Sequence, residues 1–465
     1  MHRLGSAVSW SHHQPTETPW ATDAAALTLS IRVNSLRATD ALLGWQDDQS
    51  AWVTQLAVVS SPSGHCLVLS LTLDSRRAPL QLDAPLDAIG RDQPHEITLR
   101  HLGYRLELLI DGVLVDEEWP ADLRLLLPGA INVPGDAVTQ VELWNRALQD
   151  DEVRELCGSL VAMPERYLGP ERTIAQGWRP RGFNVNVGDC MPYWHEGRWH
   201  LFYLRDRRHH GSMWGCGGHQ WAHASTTDLR HWDEHPLAVP IGPESHGSNC
   251  TGSVFWHAGV HHAFYTVRQF DGSPAPLCLS TSRNGIDFTP HGPLLTLREP
   301  YDGPSGRDPV VFRHDDQFHL LLTTSLNSAP GAPGCLARLV SDDLHHWEQC
   351  EPFFIPGPDY PGQPECPDYF AWNGWYYLFF SVEGVAHYRT SRQPLGPWQS
   401  PDTDTLDDPM ARVMKTAAFG PHRRLGVAFV RDGEQWGGSL RLRELVQHPD
   451  GTLTTTWPAE LPPNP

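Results

Sequence analysis

"WHEGRWHLFYL", residues 194–204, sets a tight polar turn in front of an aromatic strand, and the chain repeats the phrase. "WHAGVHHAFYT" starts at Trp256, "RHDDQFHLLLT" at Arg313, "WNGWYYLFF" at Trp372 and a weaker "PHRRLGVAFV" at Pro421. The pitch of about 50–60 residues is that of propeller blades rather than of a helical solenoid. A second phrase runs in step with the first: "STTDLRHWDEH" from Ser225, "STSRNGIDFTPH" from Ser280, "VSDDLHHWEQC" from Val340 and "RTSRQPLGPWQS" from Arg389. Two independent repeats in phase are hard to obtain by chance in an all-β chain. Five units of roughly four strands each predict a five-bladed β-propeller.

The turns carry carboxylates just upstream. Asp189 precedes Trp194, Asp308 precedes Arg313 and Glu365 precedes Trp372 by similar short distances. The first strand of every blade lines a propeller's central channel, so such positions converge at one end of the axis. The other two blades place "NCTGSV" (249–254) and Lys415 there. Carboxyl groups gathered in one hollow repel one another, which raises one pKa and leaves others ionised. An acid facing a carboxylate is the arrangement that cleaves glycosidic bonds. A lone Asp before a strand is usually a turn residue bonding its own backbone, and Asp287, Asp315 and Asp316 read that way.

Ahead of the repeats the pattern changes. "ALTLSIRV", "HCLVLSLTL", "HEITLRH" and "YRLELLIDGVLVDEEW" alternate with period two, and "IDGV" marks a hairpin turn. "VTQVELWNRALQDDEVREL" adds a strand and a short amphipathic helix. The expected fold class is all-β: an N-terminal jelly-roll β-sandwich over 1–160, a Pro-, Gly- and charge-rich linker over 161–180, and the propeller over 181–465. The sandwich lacks an aromatic platform and its linker is short, which points to packing rather than sugar binding.

Composition agrees. The 41 Pro and 40 Gly among 465 residues are spread along the chain, as many turns require. Trp and His are frequent, and aromatic-rich faces suit the C–H surfaces of sugar rings. With 35 Lys plus Arg against 55 Asp plus Glu, the formal charge is −20, which argues against nucleic acid and anionic membrane as partners. No run is long and apolar enough to span a membrane, and "MHRLGSAVSWSHHQ" has no leader-like pattern. Nine scattered Cys read as reduced thiols, so a cytoplasmic location is expected.

At these motifs the chain resembles the clan of five-bladed glycosidases, most closely glycoside hydrolase family 32, the β-fructofuranosidases. The resemblance rests on residues 188–232 with their "HLFY" strand and "WAHASTTDLRHW" tail, on "TGSVFW" (251–256), "GRDPVVF" (306–312), "ECPDYF" (365–370) and "GGSLRLREL" (437–445). The front part resembles laminin-G and concanavalin-like sandwiches through "YRLELLIDGVLV" and "VELWNRALQDDEV".

The resemblance implies a retaining mechanism in which Asp189 is the nucleophile, Glu365 the general acid and then base, and Asp308 the stabiliser of sugar hydroxyls. Arg307 beside Asp308 would be a charged hydrogen-bond donor to substrate; by blade position Thr251, Ser253 and Lys415 are candidate substrate contacts as well, and Trp214 and Trp221 read as sugar-stacking walls. Retention implies carboxyl groups about 5–5.5 Å apart. Departures fall around the sugar rather than the acid/base: "NVGDCMP" surrounds Asp189, Leu204 stands where the family has Gln, and the family's C-terminal sandwich is absent. The substrate expected is a small furanoside, fructosides first, with arabinofuranosides or a non-hydrolysing sugar binder as alternatives. No cofactor or metal is expected: His209, His210, Cys216, His219 and His223 are irregularly spaced for zinc. Cys190 and Cys366, each following a carboxylate, read as small buried residues that pin their turns.

Overall fold

The computed structural model describes residues 8–10, 16–17, 26–37, 41–46, 52–61, 64–71, 80–103, 105–119, 130–133, 136–168, 178–207, 218–242, 247–327, 331, 333–406, 408, 411–433 and 435–462. They fall into two units, one formed up to Leu168 with Arg181–Phe183 added, the other from Trp178–Pro180 and Asn184 onward.

The first unit is a β-sandwich. Its strands are β1 (Val8–Trp10), β2 (Thr16–Glu17), β3 (Leu27–Val33), β4 (Ala41–Gln46), β5 (Trp52–Ser61), β6 (Gly64–Leu71), β7 (Leu80–Pro85), β8 (His95–His101), β9 (Leu106–Ile110), β10 (Val113–Glu118), β11 (Ala130–Asn132) and β12 (Val138–Trp144). They form two antiparallel sheets in the orders β1-β12-β3-β8-β9-β10 and β2-β11-β4-β5-β6-β7. Alternation does the work: Leu27, Leu29, Ile31 and Val33 of β3 meet Leu67, Leu69 and Leu82 in one core. The "IDGV" hairpin forms with Asp111 and Gly112 both at positive φ, the backbone that an Asp-Gly turn supplies. Helix α1 (Leu86–Ile89) follows β7, and α2 (Asp150–Cys157) opens on a capping box between Gln149 and Glu152. Helix α3 (Pro164–Leu168) lies within the stretch expected as linker.

The second unit is built of blades. The first blade holds β13 (Val185–His195), β14 (Arg198–Arg207), β15 (Gln220–Thr226) and β16 (Asp233–Val239); the second β17 (Gly247–His257), β18 (Val260–Gln269), β19 (Pro276–Ser282) and β20 (Thr289–Thr296). The third holds β21 (Arg307–His314), β22 (Gln317–Ser325), β23 (Gly334–Ser341) and β24 (Glu348–Gln349); the fourth β25 (Glu365–Trp372), β26 (Trp375–Val382) and β27 (Val385–Ser391). The fifth holds β28 (Arg412–Phe419), β29 (Arg423–Arg431), β30 (Gly438–Gln447) and β31 (Leu453–Thr456). In the fourth blade isolated bridges from Gln399 and Thr405 onto β27 stand in for an outer strand.

The innermost strands close a ring: β13 packs on β17, β17 on β21, β21 on β25, β25 on β28, and β28 returns to β13. Val187 bridges Gly438, so the first and last blades share one sheet. The phased second repeat is a turn device. Thr226 Oγ1 accepts from Leu229 N, Asp228 accepts from the amides of Arg230 and His231, and Trp232 Nε1 donates to Leu229 O. Ser341, Asp343, Leu344 and Trp347 repeat that pattern in the third blade.

Candidate active site

All five innermost strands carry the same irregularity. Register slips by one residue between Val187 and Cys190, Asn249 and Gly252, Arg307 and Val310, Glu365 and Asp368, and Arg412 and Lys415. Each is a β-bulge, which bends its strand and re-aims one side chain. Asp308, Cys366 and Val413 hold positive φ there, a strained backbone for non-glycine residues. Pro309 and Pro367 follow two of them, where a missing N–H does least harm.

The bulges open onto one cavity of about 130 Å³, lined by Asp189, Asn249, Cys250, Thr251, Arg307, Asp308, Glu365, Cys366 and Val413, and walled by Leu204, His219, Arg268 and Trp436. The three carboxylates therefore do share a hollow. They occupy successive steps around the bulge rather than one equivalent position. A larger hollow of about 950 Å³ lies beside β27 and β31, but its carboxylates, Asp402 and Asp450, are exposed loop residues. Chemistry, not size, selects the smaller one.

Asp189 is held by one oxygen. Thr251 Oγ1 donates to Oδ2 at 2.9 Å and the Cys366 thiol reaches the same atom at 3.6 Å. Oδ1 is buried and has no hydrogen-bond partner. Burial first, then the charge of Asp308, pushes the carboxyl up to about 7; the Thr251 bond pulls the other way, Glu365 adds to the rise and His219 opposes it. Asp308 Oδ2 accepts the Cys366 amide at 2.9 Å, which fixes the third blade against the fourth. Arg307 lies between the other two acids: Nη2 donates to Glu365 Oε1 at 2.8 Å, and Nε stands 3.6 Å from Asp308 Oδ2. The Glu365 side chain keeps 39% of its exposure against 4% for Asp308, so it alone of this pair reaches outward.

Other candidates sit elsewhere. Lys415 is buried, donates to Gly252 O at 2.9 Å and is not among the residues that line the cavity. Trp221 is fully buried with Nε1 donating to Cys250 O, so it supports the second-blade bulge from behind. Ser253 does not line the cavity, and its Oγ is buried without a partner. Trp214, His209, His210 and Cys216 lie outside the described residues. Cys190 and Cys366 are buried thiols pushed well above the usual range, by burial first and by neighbouring carboxylates. They stay protonated and are poor nucleophiles.

Two walls were not picked out as sugar contacts from the sequence. Trp436 stacks on His219, with ring centroids 4.7 Å apart and planes 14° off parallel. His219 in turn bonds the buried Asp206 at 3.1 Å. A Cβ on Gly188 would stand 2.2 Å from the Trp436 ring, so the glycine beside Asp189 is what admits this wall. The signal was present in "NVGDC", a glycine breaking a strand pattern. No cluster of His, Cys, Asp or Glu among the described residues fits a metal ion.

The five-bladed ring thus gathers three acids and an arginine around one hollow. The model of the family described as "Glycosyl hydrolases family 32 N-terminal domain" matches residues 189–406. The propeller is glycoside hydrolase family 32-like. Sucrose-6-phosphate hydrolase of Salmonella typhimurium is 32% identical over 231 residues, covering 47% of this chain and 48% of that protein. Sucrose-6-phosphate hydrolase of Escherichia coli is 30% identical over 203 residues, covering 41% and 40%. The chain thus spans less than half the length of these two relatives. In fold it is similar to fructan 1-exohydrolase IIa from Cichorium intybus, with a TM-score of 0.51 at 20% identity over 63% of this chain and 61% of that one.

Proposed function

We propose that the chain is a retaining glycoside hydrolase acting on small furanosides, fructosides first, by double displacement. The observation that carries this is Asp189: a carboxyl anchored through Oδ2 by Thr251 in a cavity shared with Asp308 and Glu365. In the first step the Asp189 carboxylate attacks the anomeric carbon while Glu365 gives its proton to the leaving oxygen. An ester then joins Asp189 to the sugar. In the second step Glu365 takes a proton from water, the water oxygen attacks the anomeric carbon, and Asp189 leaves as carboxylate. Asp308 and Arg307 hold sugar hydroxyls while positive charge develops at the ring. Leu204, buried in the wall where the family has Gln, narrows the polar contacts available to the sugar.

The relatives named as sucrose-6-phosphate hydrolases support a fructoside with or without a phosphate on the leaving sugar or ring. The same reading keeps the division into sandwich (1–160), linker (161–180) and catalytic propeller (181–465). It also keeps a cytoplasmic location, supported by the eight described cysteines, all unpaired. No helix among the described residues is long and apolar enough to cross a membrane.

The test is a panel of sucrose, sucrose 6-phosphate, short fructans and nitrophenyl furanosides with the protein and with Asp189→Asn and Glu365→Gln. Hydrolysis of one furanoside class is expected, lost by about a thousandfold or more in both variants. Binding without turnover by the unaltered protein would point to a sugar-binding role instead, and turnover surviving both exchanges would refute the site.

A further inference from the structure

Arg307 is aimed by a residue outside the cavity. Its Nη1 donates to Gln363 Oε1 and, at 2.9 Å, to Ser305 O, while Nη2 reaches Glu365. Gln363 does not line the cavity. Its own amide is pinned: Nε2 donates to Ser305 Oγ at 3.0 Å and to Ser325 Oγ at 2.7 Å, leaving Oε1 as the end that must face the guanidinium. Ser305 Oγ is within 3.2 Å of Thr324 Oγ1, and Thr324 donates to Asp302 O. A chain of neutral groups from the third blade thus fixes a residue that stands two positions ahead of Glu365 on the fourth.

An arginine held this way has little freedom. A guanidinium offers five N–H groups in a rigid fork. With Nη1 tied to Gln363 and Ser305 O, the fork leaves Nη2 on Glu365 and Nε beside Asp308. Glu365 must carry a proton in one half of the reaction and none in the other, so the charge next to it sets the balance.

We propose that Gln363 is a positioning residue: it orients Arg307 toward Glu365 and thereby sets how readily Glu365 holds its proton. This rests on the assignment of Glu365 as acid/base. Among the described residues, the charged and titratable groups that line the cavity with Glu365 are Asp189 and His219 from the first blade, Arg268 from the second, and Arg307 and Asp308 from the third, with Cys366 on its own strand; the fifth blade adds Val413 and Trp436 to the lining and the buried Lys415, whose charge acts on Cys366. Among the described residues, Arg307 is the cation bonded to Glu365.

The experiment follows the Glu365 carboxyl directly. The acid C=O stretch is titrated by infrared difference spectroscopy, with Glu365→Gln as the subtracted reference, so the readout does not depend on turnover. In Gln363→Met, Arg307 loses a neutral acceptor and its hold on Glu365 slackens, so the midpoint is expected to rise by roughly half a pH unit or more. Ser305→Ala, which frees the Gln363 amide, should move it the same way by less. In an Arg307→Lys background Gln363→Met should no longer shift it. A folded Gln363→Met protein with an unmoved midpoint, or a shift that persists without Arg307, overturns the proposal. Such a result leaves the hydrolase reading intact, whereas failure of the furanoside panel would sink that reading alone.

Discussion

Asp189 is costly to keep ionised. In the folded chain its carboxyl is pushed from 3.8 to about 7, burial being the main cause. The sign is that of a raised acid: below the unfolded value both states are protonated and nothing is lost. As pH climbs from 3.8 to about 7 the unfolded chain ionises first, and stability falls until the folded group ionises too. Asp189→Asn removes that loss. The variant should match the unaltered protein in unfolding free energy near pH 4 and exceed it at pH 7 and above, by at most on the order of 4 kcal/mol. Equal melting curves at both pH values would contradict the burial argument. The three acids were legible because carboxylates ahead of recurring turns stand out against an aromatic background. His219 and Trp436 were not, because a lone aromatic or imidazole has no spacing to betray it; only their mutual stacking makes a wall. Lys415 was read as a contact because it stands at the corresponding place on the fifth blade, and Trp221 as a sugar-stacking wall, yet both serve the backbone behind them.

The bulge is the element that matters. Period-two alternation locates a strand but cannot see an extra residue in one partner, since the slip shows only in pairing. That is why Asp189, Asp308 and Glu365 looked equivalent in sequence and prove to be stepped around the bulge. Gly188 tests this element. An alanine there would meet the Trp436 ring at 2.2 Å and Leu204 O at 3.0 Å. Gly188→Ala should cost about 1–3 kcal/mol by overpacking and displace the Trp436 wall. Steady-state kinetics should show the loss chiefly in KM, since the wall holds sugar and not the reacting atoms. Unchanged KM would remove Trp436 from the site.

At the scale of the molecule, the repeats announced the blades because each blade solves the same problem of turning a strand edge back on itself. Ring closure was harder to read, since it joins residues distant in sequence. Trp178 takes part in it: its carbonyl accepts Leu440 N from the last blade at 2.9 Å, and its ring packs on Tyr203 and Trp232 of the first. Trp178 is 1% exposed, and Trp178→Ala should destabilise the propeller by about 3–5 kcal/mol, seen as a lower denaturant midpoint. A loss below about 1 kcal/mol would mean that the ring closes without it.

Whether Asp189 forms the bond to sugar is decided by covalent trapping. Glu365→Gln, given a furanosyl fluoride or nitrophenyl furanoside that needs no acid to depart, should complete the first step and stall before the second. Peptide mass spectrometry is then expected to find one glycosyl unit on the peptide that carries Asp189. A glycosyl unit on any other residue, or release of the leaving group with no adduct at all, would rule out Asp189 as the nucleophile.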